Sequence, residues 1–195
     1  MKFVFLIAIL AANLCRDSFA ENPAVSLEQG DLAPKLQAVD DAGQIWDSSD
    51  HIGKNVVVVF FYPADLTSGC TAQACGFQRQ LAELKAAGAD VVGVSGDSVT
   101  NHQLFKQTHS LSFPLLADED GKVAEAFGVP VRSGGQITRV VEGQQKQLIR
   151  GVTAQRWTFV IGLDGTIIHK NTAVNAANDS QSVLKVIRQL TVSTQ

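Results

Sequence analysis

The sequence predicts a single α/β domain in which helices flank a central mixed β-sheet. Two continuous runs of β-branched and apolar residues, at 56–62 and 91–95, are typical of strands that are buried on both faces. Helical periodicities alternate with these runs, and that order favours an α/β sandwich. A chain of 195 residues, 45% of them hydrophobic, is long enough to bury one such core.

The first half of the chain predicts two short strands, a buried strand and a long helix. Residues 31–50 are typical of two strands around a turn at Asp41-Ala42-Gly43. Pro63 ends the buried strand that begins at Val56. After a loop, apolar residues recur at helical spacing until Gly88, which is placed to end the helix. The apolar face of this helix comprises Cys70, Ala74, Phe77, Leu81 and Leu84.

The second half continues the alternation of strands and helices. It predicts helices over 99–108, 121–127 and 179–191, and strands at 113–116, 157–163 and 166–169. The turn Asp164-Gly165 joins the last two strands as a hairpin. The stretch 131–150, rich in Gln, Gly and Arg, predicts an exposed insertion or hairpin within the same domain.

Residues 1–20 have the pattern of a secretory signal peptide. Lys2 precedes a short apolar run, and Ser18 and Ala20 occupy the −3 and −1 positions of a cleavage site. We therefore expect residues 21–195 to be exported to a periplasm, with no stable membrane association after cleavage. An uncleaved anchor or a buried N-terminal strand is the alternative. A lipoprotein signal at Cys15 is disfavoured by the bulky residue before it.

Composition argues against several other classes of protein. The net charge is −3 and no basic block occurs, so neither nucleic acid nor an anionic membrane surface is an expected partner. The four histidines are scattered without ligand spacing, and the acidic run at 118–120 is more typical of a helix cap than of a metal site. We expect neither a metal nor another cofactor.

Two cysteines remain after removal of the signal peptide, namely Cys70 and Cys75. They are five positions apart and would close only a very small loop, which stabilises a fold little. The pair could still be a structural disulfide in a secreted binding protein. Its position favours redox chemistry instead, because Cys70 opens a helix directly after a buried strand.

A cysteine at the start of a helix is set up to react. The unpaired N–H groups of a helix N-terminus carry partial positive charge and favour the thiolate. The hydroxyl of Thr67, three residues earlier, is placed to contact the sulfur or a substrate oxygen; a plain N-cap is the other interpretation. Arg156 adds a cation if its strand lies beside the strand before Cys70; otherwise it is an ordinary surface arginine. Thiolate, hydroxyl and guanidinium together suit attack on the O–O bond of a peroxide.

The spacing of the two cysteines predicts a conformational change. A sulfenic acid on Cys70 would condense with a nearby thiol to form a disulfide, and Cys75 offers one. In an intact helix, residues i and i+5 have Cα atoms roughly 8–9 Å apart, beyond the usual disulfide limit of about 7 Å. Residues near 70–76 would therefore have to unwind, and Gly69 and Gly76 make unwinding easier.

These residues resemble the active-site motif of the peroxiredoxins. The segment YPADLTSGCTAQAC contains P-x-x-x-T-x-x-C, formed by Pro63, Thr67 and Cys70. A second Cys five residues later resembles the bacterioferritin comigratory protein or PrxQ branch. The similarity extends over roughly 28–190 and includes RWTFVIGLDGTI, whose first residue is Arg156.

The resemblance implies a thioredoxin-like three-layer sandwich with an N-terminal hairpin, and thiol-dependent reduction of hydrogen peroxide and organic hydroperoxides. It implies that Cys75 is the resolving residue, that thioredoxin or a similar dithiol protein recycles the enzyme, and that no cofactor is needed. A monomer is expected because both cysteines lie in one helix. The chain departs from the branch at Gln73, where Glu is usual, and at Gln78-Arg79, where Arg-Asp is usual.

Two other functions remain open from the sequence. An exported thiol–disulfide oxidoreductase acting on proteins is the nearer one, although that class relies on C-x-x-C, which is absent here. A redox-sensing module on the same fold is the second. Turnover of peroxide with a dithiol reductant distinguishes both from a peroxidase.

Overall fold

The computed structural model describes residues 25–193. The signal peptide expected at residues 1–20 lies outside the described residues. The strands are β1 (Gln37–Asp40), β2 (Ile45–Asp47), β3 (Val56–Phe61), β4 (Ala89–Ser95), β5 (Leu115–Ala117), β6 (Val131–Val141), β7 (Gln144–Ala154), β8 (Thr158–Ile161) and β9 (Ile167–Asn171). The helices are α1 (Ser68–Ala86), α2 (Val99–His109), α3 (Lys122–Ala126) and α4 (Asp179–Ser193). Across this described range, every helix is too short or too polar to cross a membrane.

The main sheet is mixed, as the sequence predicts. Its seven strands lie in the order β2-β1-β5-β4-β3-β8-β9. Strands β3, β4 and β5 are parallel, whereas β8 pairs antiparallel with β3, and β9 with β8. Strands β1 and β2 form the predicted N-terminal hairpin at the other edge. The prediction of helices around a mixed sheet is confirmed.

Strand β3 separates the two halves of the core. Because successive side chains of a strand point to opposite faces, Val58 and Phe60 pack on one side while Val59 and Phe61 pack on the other. All four are fully buried. Helices α1, α2 and α4 cover the first side and α3 covers the second, which makes three layers.

Helix α1 is attached to the sheet by the apolar face that its spacing predicts. Phe77 lies with its ring centroid 4.7 Å from that of Phe60, and both rings are fully buried. Burying a side chain of this size contributes about 1.5–3 kcal/mol to stability. The helix is therefore anchored in its middle. Gly88 follows its C-terminal end with a φ of 73°, the left-handed backbone conformation that commonly terminates helices.

The stretch predicted as an exposed insertion or hairpin forms most of the hairpin β6–β7. Residues on one face are exposed, such as Val140 at 69% and Ile149 at 60%. On the other face Val141 and Leu148 are buried. Because one face is covered by the domain, the hairpin is attached to the body along part of its length.

Candidate active site

The candidate site begins where β3 ends and α1 starts. The backbone N–H of Tyr62 still donates to the neighbouring strand, whereas Pro63 has no N–H to continue the sheet. The chain then turns through Leu66, whose φ of 55° is left-handed, and reaches Thr67 at the N-cap of α1. This turn brings Cys70 into the first turn of the helix, where its side chain is only 1% exposed.

Arg156 contacts the sulfur of Cys70 directly. Its Nη2 donates to Sγ at 3.2 Å, and its Nη1 donates to Oε1 of Gln73. The sheet accounts for this approach, because β8 pairs with β3 and the N–H of Phe61 bonds the carbonyl of Trp157 at 2.8 Å. The residue before Trp157 therefore emerges at the end of β3 from which the cysteine loop leaves. The sequence predicts this proximity only if the two strands are neighbours, and they are.

The surroundings of Cys70 stabilise a negative charge on its sulfur. The guanidinium of Arg156, which contacts that sulfur, stays cationic at all ordinary pH values. The free N–H groups in the first turn of α1 add partial positive charge. Both effects place positive potential at the sulfur, which is the nucleophilic atom of cysteine.

Thr67 and Pro63 shape the loop beside this cation. The hydroxyl of Thr67 donates to the carbonyl of Ala64 at 2.9 Å and makes no capping bond to α1. Its proton is used within the loop, while its oxygen keeps acceptor capacity. Pro63 lines a cleft of about 350 Å³ together with Arg132 and Arg156. The cleft therefore reaches the residue that contacts the reactive sulfur.

Cys75 lies on the same unbroken helix as Cys70. Both cysteines are free, and the half-buried Cys75 packs against the core cluster that contains Cys70. Five helical positions separate their Cα atoms by roughly 8–9 Å, so the two sulfurs cannot bond in this conformation. The two thiols therefore lie on the helix without a bond between them.

Gln73 connects the site to the start of α4, a link that sequence reasoning missed. Its side chain is fully buried, and Nε2 donates to Oδ2 of Asp179 at 2.7 Å. Thr158 donates to the same oxygen at 2.8 Å. Burial raises the pKa of Asp179 above its ordinary value, and these two donors partly offset that effect. No local pattern signals the link, because it joins distant parts of the chain.

The two departures from the PrxQ pattern have different surroundings. Gln73, where the resemblance implies Glu, lies between Arg156 and a buried carboxylate, and its amide both accepts and donates. Gln78 lies away from the sulfur, and its amide oxygen accepts from the N–H of Ser112 at 2.8 Å. The first substitution therefore alters the site itself, whereas the second attaches α1 to the loop before β5.

A second buried polar cluster lies below the loop that precedes Cys70. Oδ2 of Asp65 is 2.8 Å from Nδ1 of His102, and Tyr62 donates to the other carboxylate oxygen at 2.7 Å. The backbone N–H of Asp65 donates to Asp97 at 2.9 Å. All four of these side chains are at most 1% exposed. Of the two ring nitrogens of His102, Nδ1 is paired with Asp65, whereas the buried Nε2 has no hydrogen-bond partner among the described residues.

The acid–base properties of this cluster follow from burial and mutual charge. Burial alone lowers the pKa of His102, but the charge and hydrogen bond of Asp65, the charge of Asp97 and the backbone of Leu116 together outweigh it, so the pKa is raised. Burial raises the pKa of Asp97 and that of Tyr62. Within residues 25–193, this cluster included, we find no group of three or more His, Cys, Asp or Glu side chains arranged to hold a metal ion.

Comparison with known proteins identifies the family. The family model described as AhpC/TSA matches residues 29–170, a range that includes both cysteines, their loop and Arg156. The chain belongs to the AhpC/TSA family. Its match covers well over half of the sequence, from before β1 into β9.

Curated relatives define the branch of the AhpC/TSA family more closely. The chain is 45% identical over 143 residues to the putative peroxiredoxin bcp of Coxiella burnetii. The aligned region covers 73% of this chain and 87% of the relative. It is 42% identical over 113 residues to the chloroplastic peroxiredoxin Q of Suaeda salsa. That second match covers 58% of this chain and 52% of the relative, so the chain spans about half the length of the plant protein.

A solved structure agrees with these relatives. The bacterioferritin comigratory protein of Xanthomonas campestris, whose structure was described for its alkyl peroxide reduction activity, superposes with a TM-score of 0.64 at 29% identity. The superposition covers 80% of this chain and 91% of that one. The resemblance to peroxiredoxins of the PrxQ branch and the thioredoxin-like fold are thereby confirmed. This AhpC/TSA protein is a thiol-dependent peroxidase.

Proposed function

We propose that this peroxiredoxin reduces hydrogen peroxide and organic hydroperoxides through Cys70 and resolves the product through Cys75. The observation that carries the proposal is the 3.2 Å contact from Nη2 of Arg156 to Sγ of Cys70, at the start of a helix. A sulfur that is buried, faced by a cation and followed by a second thiol suits peroxide reduction. The alkyl peroxide activity described for the Xanthomonas relative supports organic substrates.

The first step is attack by the thiolate of Cys70 on one peroxide oxygen. The S–O bond forms and the O–O bond breaks, so that sulfur is oxidised to a sulfenic acid while the peroxide is reduced. The leaving oxygen departs as hydroxide or alkoxide and takes up a proton to become water or alcohol. Arg156 stabilises the charge on that oxygen, and the oxygen of Thr67 accepts the O–H of the bound peroxide.

The second step joins the two cysteines. The thiol of Cys75 attacks the sulfenic sulfur of Cys70, an S–S bond forms and water leaves. This step requires unwinding of the first turns of α1, because the helical separation is too large for a disulfide. Activation of the sulfur and formation of the disulfide therefore belong to two conformations.

The third step returns the enzyme to its reduced form. A dithiol protein of the thioredoxin type attacks the disulfide, passes through a mixed disulfide and leaves Cys70 and Cys75 as thiols while it becomes oxidised itself. The unwound segment exposes the disulfide to such a partner. Since both cysteines lie in one helix, a monomer suffices for the cycle.

The test is peroxide consumption by residues 21–195 with an excess of a small dithiol or thioredoxin. We expect turnover of hydrogen peroxide and of an alkyl hydroperoxide, and loss of all turnover in Cys70→Ser. Absence of turnover with both peroxides contradicts the proposal. Full activity in Cys70→Ser contradicts the assignment of the attacking sulfur.

The role of Cys75 has a separate test. We expect Cys75→Ser to react once with peroxide and then to stop as a sulfenic or more oxidised species. Intact-mass measurement distinguishes this from the loss of two hydrogens that marks a disulfide. An internal disulfide in the variant, formed at the normal rate, contradicts the resolving role.

We also propose that residues 1–20 direct export and are removed. The mature chain would then begin at Glu21 and be recovered from the periplasmic fraction. The mass of the purified protein checks this directly. A chain that retains Met1 and stays with the cytoplasmic fraction contradicts the proposal.

A further inference from the structure

The β6–β7 hairpin is held against the loops at the active-site end of the sheet. Its second strand is attached to the segment after β4: the N–H of Gly151 donates to the carbonyl of Gly96 at 2.9 Å, and Asn101 donates to the carbonyl of Ile149 at 2.9 Å. A Cβ added at Gly96 would lie 2.2 Å from the carbonyl oxygen of Val152, so the backbones approach as closely as glycine permits. The base of the hairpin is therefore fixed.

The first strand of the hairpin reaches the loop before Cys70. Nε of Arg139 donates to the carbonyl of Leu66 at 2.8 Å. In α1 the first carbonyl that accepts a helical N–H is that of Thr67, which bonds Thr71. The carbonyl of Leu66 lies one residue earlier, outside the helix, and Arg139 supplies its donor.

Leu66 adopts a backbone conformation that needs such support. Its φ of 55° is left-handed, a conformation in which the Cβ of an L-residue comes too close to the following carbonyl oxygen. Strain of this kind persists where the surrounding structure holds it. The bond from Arg139 holds the carbonyl of Leu66 in the direction that this turn gives it, one residue before the N-cap of the helical α1.

We propose that Arg139 is a positioning residue that holds the loop before Cys70 closed and thereby sets how readily the first turns of α1 unwind. This inference rests on the proposed function, in which Cys70 attacks peroxide from the helical form and meets Cys75 in an unwound form. A bond that holds this turn in place delays the unwinding.

The delay affects a competition at the sulfenic acid. In one branch the thiol of Cys75 attacks the sulfenic sulfur, and a disulfide and water result. In the other branch a second hydroperoxide oxidises the sulfenic acid to sulfinic acid and is itself reduced to alcohol or water. The second branch requires the helical form to last, so Arg139 should make the enzyme more sensitive to excess peroxide.

The hairpin contains a matched control. Lys146 pairs directly with Arg139 across the two strands, so it carries the same charge on the same face of the hairpin. Lys146→Ala therefore removes an equal charge from nearly the same position. Arg139→Lys keeps the charge but lacks the planar Nε donor.

The experiment measures products by intact mass after reaction with increasing hydrogen peroxide in the absence of reductant. For Arg139→Ala we expect the peroxide concentration that gives half sulfinic acid to rise about threefold to tenfold, the effect of losing a net hydrogen bond. Lys146→Ala should match the wild type, and Arg139→Lys should resemble Arg139→Ala. Hydrogen exchange of residues 66–76 should be faster in Arg139→Ala than in Lys146→Ala.

The outcomes separate this inference from the proposed function. A wild-type chain that forms neither a disulfide nor sulfinic acid with peroxide refutes the proposed function. A wild type that forms both, while Arg139→Ala has an unchanged or lowered peroxide threshold, overturns the role of Arg139 alone. An equal shift in Lys146→Ala also overturns it, because charge rather than the bond to Leu66 would then be the cause.

Discussion

Gln73 and Asp179 are joined by a buried hydrogen bond of 2.7 Å, although 106 residues separate them in the chain. The bond orients the amide of Gln73, whose oxygen accepts from Arg156. Arg156 in turn donates to the sulfur of Cys70. Because residue 73 lies between the two cysteines, unwinding that brings Cys75 to Cys70 must break this chain of contacts. The start of α4 therefore stabilises the helical form of the site.

Replacing Gln73 by Glu should destabilise the protein, although Glu is usual in the branch. The variant lacks the N–H that donates to Asp179 and places two carboxylates together, where burial already raises the pKa of Asp179. We expect a loss of about 1–3 kcal/mol in the free energy of unfolding near pH 8. The loss should be smaller near pH 5, because one of the two carboxyls then keeps its proton. Urea unfolding at both pH values measures the difference.

The double variant Gln73→Glu with Asp179→Asn is the control for this prediction. It exchanges donor and acceptor, because Asn supplies an N–H to the new carboxylate. We expect it to recover most of the lost stability, and a double-mutant cycle gives the coupling energy. A Gln73→Glu variant as stable as the wild type near pH 8 contradicts the role given to this bond.

Replacing Arg156 by Met should slow the first chemical step. The guanidinium uses two nitrogens, one on the sulfur of Cys70 and one on Gln73. Removing a donor that stabilises developing charge costs about 10²–10³-fold in rate. Arg156→Lys should recover part of the lost rate, because it keeps the positive charge but lacks the two parallel N–H donors of the guanidinium. Stopped-flow measurement of the rate of Cys70 oxidation checks both variants; a Met variant within about threefold of the wild type contradicts the assignment.

Thr67 permits a test of its oxygen apart from its packing. Thr67→Val removes the hydroxyl that donates to Ala64 and that we expect to accept from the peroxide, whereas Thr67→Ser keeps it. We expect kcat/KM for peroxide to fall about tenfold or more in the Val variant and to change little in the Ser variant. Thermal unfolding of both variants separates a loss of loop stability from a loss of reactivity. Equal activities in the two variants contradict a role for the oxygen.

The sequence predicted the parts of the site that depend on local order. Strand β3 was predictable because its residues form a continuous apolar run. The core face of α1 was predictable because the residues that pack on the sheet recur every three to four positions along the helix. The approach of Arg156 depended on one assumption, that β8 lies beside β3, and the resemblance to peroxiredoxins favoured it. The residues proposed for the thiol chemistry therefore came from spacing and resemblance together.

The contacts that the sequence did not predict are all long-range and polar. Gln73 lies on α1 beside the apolar face and contacts the start of α4. No periodicity in the sequence indicates that Asp179 is its partner. Arg139 was part of a polar stretch without a clear pattern, and its bond to Leu66 depends on how the hairpin folds back. The pairing of His102 with Asp65 depends on where α2 packs. The partners of these side chains are determined by how the helices and strands pack together and not by adjacent residues in the sequence.

The buried pair of His102 and Asp65 should make stability depend on pH. Burial by itself lowers the pKa of His102, but the carboxylate of Asp65, with smaller contributions from Asp97 and the backbone of Leu116, raises the pKa above the ordinary value of 6.5. The folded chain therefore holds this proton more tightly than the unfolded chain does. The resulting stability is fully present below about pH 6.5 and is lost as the pH rises through the raised pKa. The loss is about 1.4 kcal/mol for each unit by which the two pKa values differ.

Urea unfolding of the wild type and of His102→Gln at about pH 6 and pH 9 measures this contribution. We expect the wild type to lose more stability between the two pH values than the variant. The pKa of Asp97 is also raised, and in the same sense, but the charge of His102 partly offsets that rise, so the comparison reports the histidine together with its coupling to Asp97. An equal loss in both proteins contradicts the prediction. Because Asp65 lies in the loop between Pro63 and Thr67, the wild type should also show lower protection factors in that loop at the higher pH, once exchange rates are corrected for their intrinsic dependence on pH.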